Sequence, residues 1–145
     1  TGNEACRSGG GVLNSLSSPM VTNCTGTGNS AAPDGGGLEN YDSNPTMTNC
    51  TFTGNTGPYG GAMLNVNGSS STLTNCTFTG NEAARAGGGM FNDNGSSPTL
   101  SATDLTNGTD YTGGGIAYHG TNSQPNARTD PRPESEAPTP GSTQP

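Results

Sequence analysis

The sequence contains no tryptophan and no lysine, and it has only three phenylalanines and four tyrosines among 145 residues. Hydrophobic residues make up 26% of the chain and charged residues 10%, so a conventional core between two packed layers is hard to build. No run of about 18 apolar residues occurs, and we therefore expect no membrane insertion. Four arginines against eleven acidic residues give a formal charge of -7. This balance argues against a nucleic-acid partner, because phosphate binding depends on clustered cations.

The chain also has little material for a metal or redox centre. It has one histidine and four cysteines, without a Cys-x-x-Cys pair, so we expect no zinc, haem or iron–sulfur site and no cofactor. Glycine, threonine, asparagine and serine supply more than half of the residues, a bias that on its own favours disorder. The chain opens at Thr1 rather than methionine, and we therefore expect a processed or excised piece.

A period of 26 residues organises this composition. Cys24, Cys50 and Cys76 stand at equal steps, each inside Thr-Asn-Cys-Thr. The string Thr-Gly-Asn recurs at the same step and ends at Asn3, Asn29, Asn55 and Asn81. Such a period indicates a repeat architecture rather than disorder. Because glycine, asparagine and threonine are poor helix formers, the repeats predict stacked coils of short parallel β-strands.

Each predicted coil contains short strands separated by a one-residue bend. Along residues 73–78, simple alternation cannot point Leu73, Cys76 and Phe78 all inward, because Leu73 and Cys76 differ in parity. A left-handed bend at Asn75 restores the phase, and asparagine tolerates that conformation. The predicted unit is strand, asparagine bend, strand, Gly-Asn corner, loop and glycine-rich strand. The predicted interior comprises Leu13, Leu38, Leu64, Leu73, Leu100, Cys24, Cys50, Cys76, Phe52 and Phe78.

Stacked coils place equivalent residues above one another at about 4.8 Å, which predicts ladders along the axis. The predicted structural ladders are Asn23, Asn49 and Asn75; Cys24, Cys50 and Cys76; and Phe52 with Phe78. The three asparagines are predicted to be buried bends without glycan. For the cysteines, a ladder of buried thiols is favoured over vertical disulfides, which the spacing of the α-carbons also allows. Cys6 lies off this ladder, either as a loop residue or as a link between chains.

Two further motifs carry a resemblance to a known family. Residues 52–55 and 78–81 fit Phe-x-x-Asn, and residues 60–63 and 113–116 fit Gly-Gly-(Ala/Gly)-aliphatic. Over residues 1–118 the pair resembles the repeats of the chlamydial polymorphic outer-membrane proteins and of related bacterial surface proteins. The resemblance implies an all-β, right-handed parallel β-helix (β-solenoid) of about four to five coils over residues 1–119. It implies no catalytic residue, because those repeats are structural.

The acidic residues are predicted to be too dispersed for catalysis. Glu4 and Glu82 occupy one position three coils apart, and the only histidine is His119. The remaining acids outside the tail are at scattered loop positions: Asp34, Glu39, Asp42, Asp93, Asp104 and Asp110. Glycoside cleavage requires two carboxylates that converge over a groove. We therefore predict that the chain is not an enzyme, and a polysaccharide-processing β-helix enzyme is the least favoured alternative.

Six asparagines satisfy the N-glycosylation pattern Asn-x-Ser/Thr. Asn67, Asn94 and Asn107, each followed by glycine, are predicted to lie in looser turns and are the candidate glycosylation sites. The outward threonines of the Thr-Asn-Cys-Thr strands form a hydroxyl-rich face that can carry glycans, bind sugar or remain solvated. Covalent glycans and cell-surface carbohydrate are therefore among the predicted partners.

The last segment, residues 120–145, has a different composition. Six of the eleven prolines lie there, among acidic and hydroxyl residues, which predicts an extended, polyproline-like tail. We expect it to lie along an adjacent subunit, with Arg128 or Arg132 near Asp104 or Asp110.

The ends of the coils lead to the predicted function. A solenoid exposes unpaired backbone donors and acceptors at each end, and head-to-tail stacking of such ends produces a fibre. We therefore predict an extracellular or cell-surface structural protein that assembles head to tail with copies of itself. The alternative is a fragment of a bacterial adhesin or autotransporter passenger, whose further repeats would cover the same ends.

Overall fold

The computed structural model describes residues 1–6, 8–32, 34–106, 108 and 115–119, and the predicted tail lies outside these residues. Within the described ranges the chain is all-β, with seventeen short strands and no helix. Successive coils are about 26 residues apart and stack as a right-handed parallel β-solenoid of about four turns. The predicted fold class is therefore confirmed.

Four sheets run along the solenoid, and each of the first four coils contributes one strand to each sheet. Among the described residues, β17 adds a fifth strand to sheet 2 alone. All strand pairs are parallel. Sheet 1 contains β1 (Glu4–Ala5), β5 (Ser30–Ala31), β9 (Thr56–Tyr59) and β13 (Glu82–Ala86). Sheet 2 contains β2 (Val12–Ser15), β6 (Leu38–Tyr41), β10 (Met63–Val66), β14 (Met90–Asp93) and β17 (Ile116–His119). Sheet 3 contains β3 (Met20–Thr22), β7 (Thr46–Thr48), β11 (Thr72–Thr74) and β15 (Thr99–Ser101). Sheet 4 contains β4 (Thr25–Thr27), β8 (Thr51–Thr53), β12 (Thr77–Thr79) and β16 (Asp104–Thr106).

Sheet 1 occupies the segment that the sequence predicts as a loop. Its inward positions are small, since Ala31 and Ala83 are buried and Gly57 pairs with Ala83. Small side chains let these short strands approach the core closely. The strands are too short for their alternation to be seen in the sequence, which explains the wrong prediction.

The bend between sheets 3 and 4 has the predicted conformation but not the predicted burial. Asn23, Asn49 and Asn75 have φ values of 56°, 53° and 51°, in the left-handed region that asparagine tolerates. Their side chains are exposed, because the bend turns each Cβ away from the axis. The Nδ2 of Asn49 donates to Asn23 Oδ1 at 3.1 Å, and that of Asn75 to Asn49 Oδ1 at 2.7 Å. The ladder therefore lies on the outside of the solenoid, and the predicted burial of these three residues is wrong. Their lack of glycan stays a prediction.

The core is a single column of apolar side chains. Sheets 2, 3 and 4 each contribute one row of residues to it. Its buried members are Leu38, Met47, Cys50, Phe52, Ala62, Met63, Leu73, Cys76, Phe78 and Met90. Leu100, which was also predicted to be inside, is 9% exposed. In sheet 2 the inward row is Val12, Leu38, Met63, Met90 and Ile116, by strand register.

Two of the residues predicted to be buried are exposed, and a third faces the other way. Leu13 is 48% exposed because it pairs with Glu39, in the outward row of sheet 2. Leu64 follows Glu39 in that outward row and is buried there, outside the central column. Cys24 is exposed because it lies in the first coil, beyond which the described chain has no further coil. The parity of sheet 2 and the end of the column account for these differences.

Glycine is required where sheet 1 turns into sheet 2. A Cβ at Gly36 would collide with the carbonyl oxygens of Thr56 and Gly61. The glycine clusters of the repeat therefore let successive coils approach backbone to backbone.

Candidate functional site

Two ladders of buried asparagines stabilise the interior, and neither consists of the residues predicted for a ladder. The first lies in sheet 2, where each Nδ2 donates to the Oδ1 of the next coil at 2.8 Å. Its members are Asn14, Asn40, Asn65 and Asn92. It ends at Asn92 because Tyr118 occupies the next position, and the buried Asn92 Nδ2 has no acceptor among the described residues.

The second inner ladder lies at the corner between sheets 4 and 1. Its members are the final residues of the Thr-Gly-Asn strings, Asn3, Asn29, Asn55 and Asn81. All are buried except Asn3 in the first coil, which is exposed. The Oδ1 of Asn55 accepts from both the backbone N–H and the Nδ2 of Asn29, each at 3.0 Å. Its Nδ2 donates to Asn81 Oδ1 at 2.9 Å and to the Gly26 carbonyl at 3.0 Å. One buried side chain therefore joins three successive coils.

The cysteine and phenylalanine positions form rows in sheet 4 and at the bend before it. Cys50 and Cys76 are free thiols and fully buried, and burial raises the pKa of Cys76. The Cys76 thiol donates to the Thr74 carbonyl at 3.5 Å. Thr103 stands at the same position one coil later, and its hydroxyl donates to the Ser101 carbonyl at 3.1 Å. A threonine can therefore replace the cysteine without losing the bond.

The two phenylalanines of the repeat stack in the core. The Phe52 and Phe78 ring centroids are 5.2 Å apart with an interplanar angle of 15°. Cys24 belongs to the same repeat position as Cys50 but is exposed, as is Cys6. At this repeat position the first coil therefore has an exposed thiol, whereas the next two coils have buried thiols.

Two of the three candidate glycosylation sites lie in the described chain. Asn67 and Asn94 are exposed in left-handed turns, with φ values of 54° and 48°. The hydroxyls of the two sequon serines are turned inward, so that Ser69 donates to the Val66 carbonyl at 2.6 Å and Ser96 to a carbonyl at 2.7 Å. Asn107 lies outside the described residues.

An external groove of about 460 Å³ lies between sheets 1 and 2 at the C-terminal half of the solenoid. We call it the aromatic groove. It is lined by Asp34, Tyr59, Leu64, Val66, Arg85, Ala86, Phe91, Asp93 and His119. Asp34, Asp93 and His119 were predicted from the sequence to lie at separate positions, whereas the fold brings all three to this groove.

Three rings follow one another along the aromatic groove. The centroids of Tyr59 and Phe91 are 5.0 Å apart at an angle of 41°, and those of Phe91 and His119 are 6.4 Å apart at 21°. Phe91 is 7% exposed and Leu64 is 3% exposed, so these two form the floor. Tyr59 and His119 lie more openly at its sides.

Charged groups of both signs surround the rings. The Nη1 of Arg85 donates to the Tyr59 hydroxyl at 2.8 Å, and its guanidinium carbon lies 5.4 Å from the Tyr59 ring centroid. This hydrogen bond raises the pKa of Arg85. Asp93 Oδ1 is 2.9 Å from Nδ1 of His119, and burial raises the pKa of the Asp34 carboxyl. The bulge between Ala83 and Ala86 in β13 brings Arg85 to this side.

A buried carboxyl group lies on the same outer face, towards the N-terminal end. Glu39 is 6% exposed and accepts a hydrogen bond from the Gly9 backbone N–H at 3.0 Å. Burial raises the pKa of Glu39, and the nearby Asp34 carboxylate raises it further, while the Gly9 bond opposes the shift.

The other predicted acids occupy separate positions. Glu4 and Glu82 lie in sheet 1, three coils apart by the strand register. Among the residues that the structure describes, no group of three or more histidine, cysteine or acidic side chains is arranged to hold a metal ion. The same part of the chain contains no helix long and apolar enough to span a membrane.

Comparison with known proteins agrees with this geometry. A family model described as a right handed beta helix region matches residues 2–130. No curated protein and no solved structure matches the chain. The matched region is a structural repeat, and some members of the family are enzymes. Because the match covers most of the chain, and the strands stack as parallel coils, the chain belongs to the right-handed beta helix family.

Proposed function

We propose that the chain is an extracellular structural protein whose β-solenoids assemble head to tail into a fibre. The observation that carries this proposal is the open N-terminal coil, formed by β1 to β4. Each of these strands is the edge of its sheet among the described residues. Val12 is 48% exposed, whereas Leu38 and Met63, one and two coils further on, are 2% and 0% exposed. Within the described residues this end of the hydrophobic column is uncovered, and a further coil stacked on it would bury it.

Backbone donors at this end support the same proposal. In sheet 4 the N–H groups of Thr51 and Thr77 each donate to a carbonyl of the preceding coil, at 2.9 and 2.8 Å. In sheet 3 the N–H of Thr46 does the same, at 3.0 Å. Thr25 and Met20 occupy these positions in the first coil, where no described coil precedes them. By register, the N–H groups of Thr25 and Met20 point away from the solenoid, towards the place where a strand of a second copy would stack.

A hollow of about 240 Å³ lies at this N-terminal end, where a second copy would bind. It is lined by Cys24, Gly26 and Phe52, among others. Gly26 stands in the row that holds Phe52, Phe78 and Leu105 in later coils, so the row is empty at its first position. An apolar side chain from the last coil of a second copy can fill the hollow, and Leu105 belongs to that row at the opposite end.

The repeat supports a structural rather than a catalytic role. The residues that recur in every coil form the asparagine ladders, the core rows and the close backbone contacts at glycine. None of these roles requires a substrate. The exposed sequon residues Asn67 and Asn94 suit an extracellular glycoprotein, and we include this location in the proposal.

The second arrangement of the same end is a preceding coil of one longer polypeptide. The motifs at residues 52–55 and 60–63 resemble those of bacterial surface proteins, in which such coils continue through an adhesin or autotransporter passenger. A preceding coil would bond Met20 and Thr25 in the same way as a second copy. The two arrangements differ in chain length and not in chemistry.

Electron microscopy of the purified chain of residues 1–145, with its intact mass measured on the same sample, distinguishes them. Filaments built from a 14.4 kDa chain support head-to-tail assembly. Isolated particles at all concentrations, together with a longer parent polypeptide in the source, contradict it and favour the adhesin fragment.

Two proline variants make this experiment specific. Thr25→Pro removes an N–H directed away from the solenoid, so the chain should fold and fail to form filaments. Thr51→Pro removes an N–H that is bonded to the Cys24 carbonyl, and the loss of this ladder hydrogen bond should destabilise the chain itself by about 1–3 kcal/mol. Filaments of Thr25→Pro equal to those of the unchanged protein would contradict strand pairing at this end.

A further inference from the structure

The two ends of the asparagine ladder in sheet 2 have complementary hydrogen-bonding groups. Each Nδ2 donates towards the C-terminal end of the solenoid and each Oδ1 accepts from the N-terminal side, as in the bond from Asn14 to Asn40. At the C-terminal end, the buried Nδ2 of Asn92 has no acceptor among the described residues. At the N-terminal end, the Oδ1 of Asn14 is the first acceptor, and no described coil precedes it. The ladder therefore lacks an acceptor at one end and a donor at the other.

The strand β17 separates these two groups when copies meet head to tail. Tyr118 of β17 occupies the ladder position after Asn92, and the buried Tyr118 hydroxyl has no partner among the described residues either. We infer that β17 is a placeholder strand, which β2 of a second copy displaces during head-to-tail assembly. In the joined state the Asn92 Nδ2 donates to Asn14 Oδ1 of the second copy, and one ladder runs through both copies. This inference rests on the proposed function and specifies the interface between copies.

The positions of the other strands require this exchange. Among the described residues, β15 and β16 are the last strands of sheets 3 and 4, whereas sheet 2 continues beyond β14 to β17. By register, the Thr25 N–H of a second copy meets the Thr103 carbonyl beside β16. Its Met20 N–H likewise meets the Pro98 carbonyl beside β15. Because β2 belongs to the same coil as Met20 and Thr25, it must then lie directly beside β14, where β17 lies before assembly.

The sequence of β2 matches that of β17 where the two strands would contact β14. Residues 11–15 are Gly-Val-Leu-Asn-Ser, and residues 115–119 are Gly-Ile-Ala-Tyr-His. Each strand therefore has a glycine followed by a β-branched residue, and by register that β-branched residue faces the core next to Met90. The Met90 N–H donates to the Gly115 carbonyl at 3.0 Å, and the Gly11 carbonyl of a second copy can accept the same bond. Either strand thus completes the sheet and the core row.

The remaining positions favour the strand of the second copy. Leu13 of that copy covers more apolar surface than Ala117 does at the same position. The buried ladder donor gains an acceptor, which removes the penalty of an unsatisfied group. Against this, the exchange breaks the contacts of His119 with Asp93 and Phe91. His119 is exposed, and exposed pairs of this kind contribute little to stability.

Hydrogen exchange of the full chain, compared between the dispersed state and filaments, tests the displacement of β17. We expect the β17 amides to exchange at least about tenfold faster in filaments, because β17 has left the sheet. The Met90 amide should stay protected in both states, because the Gly11 carbonyl replaces that of Gly115. If the β17 amides are as protected in filaments as in the dispersed chain, the exchange is wrong and head-to-tail assembly still stands. Absence of filaments would overturn both.

Two variants change the stability of β17 in its place, in opposite directions. His119→Ala removes the contact with Asp93 and should speed filament growth about two- to fivefold. Tyr118→Asn supplies the missing acceptor to Asn92 within the chain, so β17 should be harder to displace and growth about tenfold slower. As a control, Tyr41→Ala changes an exposed residue of sheet 2 outside both strands and should leave growth unchanged.

Both signs would be reversed if a second copy added to β17 instead of displacing it. A less stable β17 would then give a weaker joint, and Tyr118→Asn would extend the ladder to Asn14 of the second copy. Slower growth with His119→Ala, faster growth with Tyr118→Asn, or no change with both variants would therefore overturn the exchange. Far-ultraviolet circular dichroism of the dispersed variants checks that each retains the fold.

Discussion

Replacing one asparagine by alanine should have very different effects inside and outside the same coil. Asn55 is fully buried, whereas Asn49 is exposed in the bend of the same coil. Asn55→Ala leaves the Asn29 backbone N–H, the Asn29 Nδ2 and the Gly26 carbonyl without their partner. At about 1–3 kcal/mol for each of these three unsatisfied groups, we expect a loss of about 3–9 kcal/mol. That is a large share of the roughly 5–15 kcal/mol by which domains are stable.

Asn49→Ala removes two exposed hydrogen bonds and places alanine in the left-handed region. Exposed bonds are replaced by water, so we expect a loss of about 1–2 kcal/mol, most of it from the backbone. Urea unfolding followed by far-ultraviolet circular dichroism measures both variants under identical conditions. Equal losses, or a larger loss for Asn49→Ala, would refute the conclusion that the inner ladder at Asn55 stabilises the coils more than the outer one does.

Two further predictions concern single positions. Ala102 has a φ of 45° where earlier coils have asparagine, so Ala102→Asn should raise the free energy of unfolding by about 1 kcal/mol; an unchanged thermal midpoint would contradict this. Burial raises the pKa of Glu39 above its ordinary value of 4.5. Between that value and the raised pKa, the folded chain retains a proton that the unfolded chain releases. Stability therefore falls as the pH rises through this range. Glu39→Gln should therefore raise the thermal midpoint at pH 7 but not at pH 4, whereas an equal effect at both values would show that protonation of Glu39 is not the cause.

The sequence predicts the period, the parallel coils and the bend at Asn75, because each depends on a residue type at a fixed spacing. It also contains a signal for an inner asparagine ladder. Asn65 lies two residues after Met63 within one strand, so both face the same side. The same parity excludes Leu64 from the central column. To predict which residues face the core, the position of each residue within its short strand was more informative than the hydrophobicity of its side chain.

The aromatic groove was harder to predict, because its residues are not part of the repeated motif. Two of its contacts, Arg85 with Tyr59 and Asp93 with His119, nevertheless join residues that are 26 positions apart. A search for complementary side chains at the repeat distance would have found both pairs. Phe91, whose ring contacts those of Tyr59 and His119, belongs to neither pair. No spacing in the sequence indicates the bulge in β13 either.

Hydrogen exchange at the Thr25 backbone amide tests the proposed assembly most directly. Thr51, at the same position one coil later, is bonded within the chain and should be protected in every state. For Thr25 we predict fast exchange in the dispersed chain and protection that approaches that of Thr51 once filaments form. Filaments in which Thr25 still exchanges as fast as in the dispersed chain would mean that the coils do not pair end to end, and this would contradict the account.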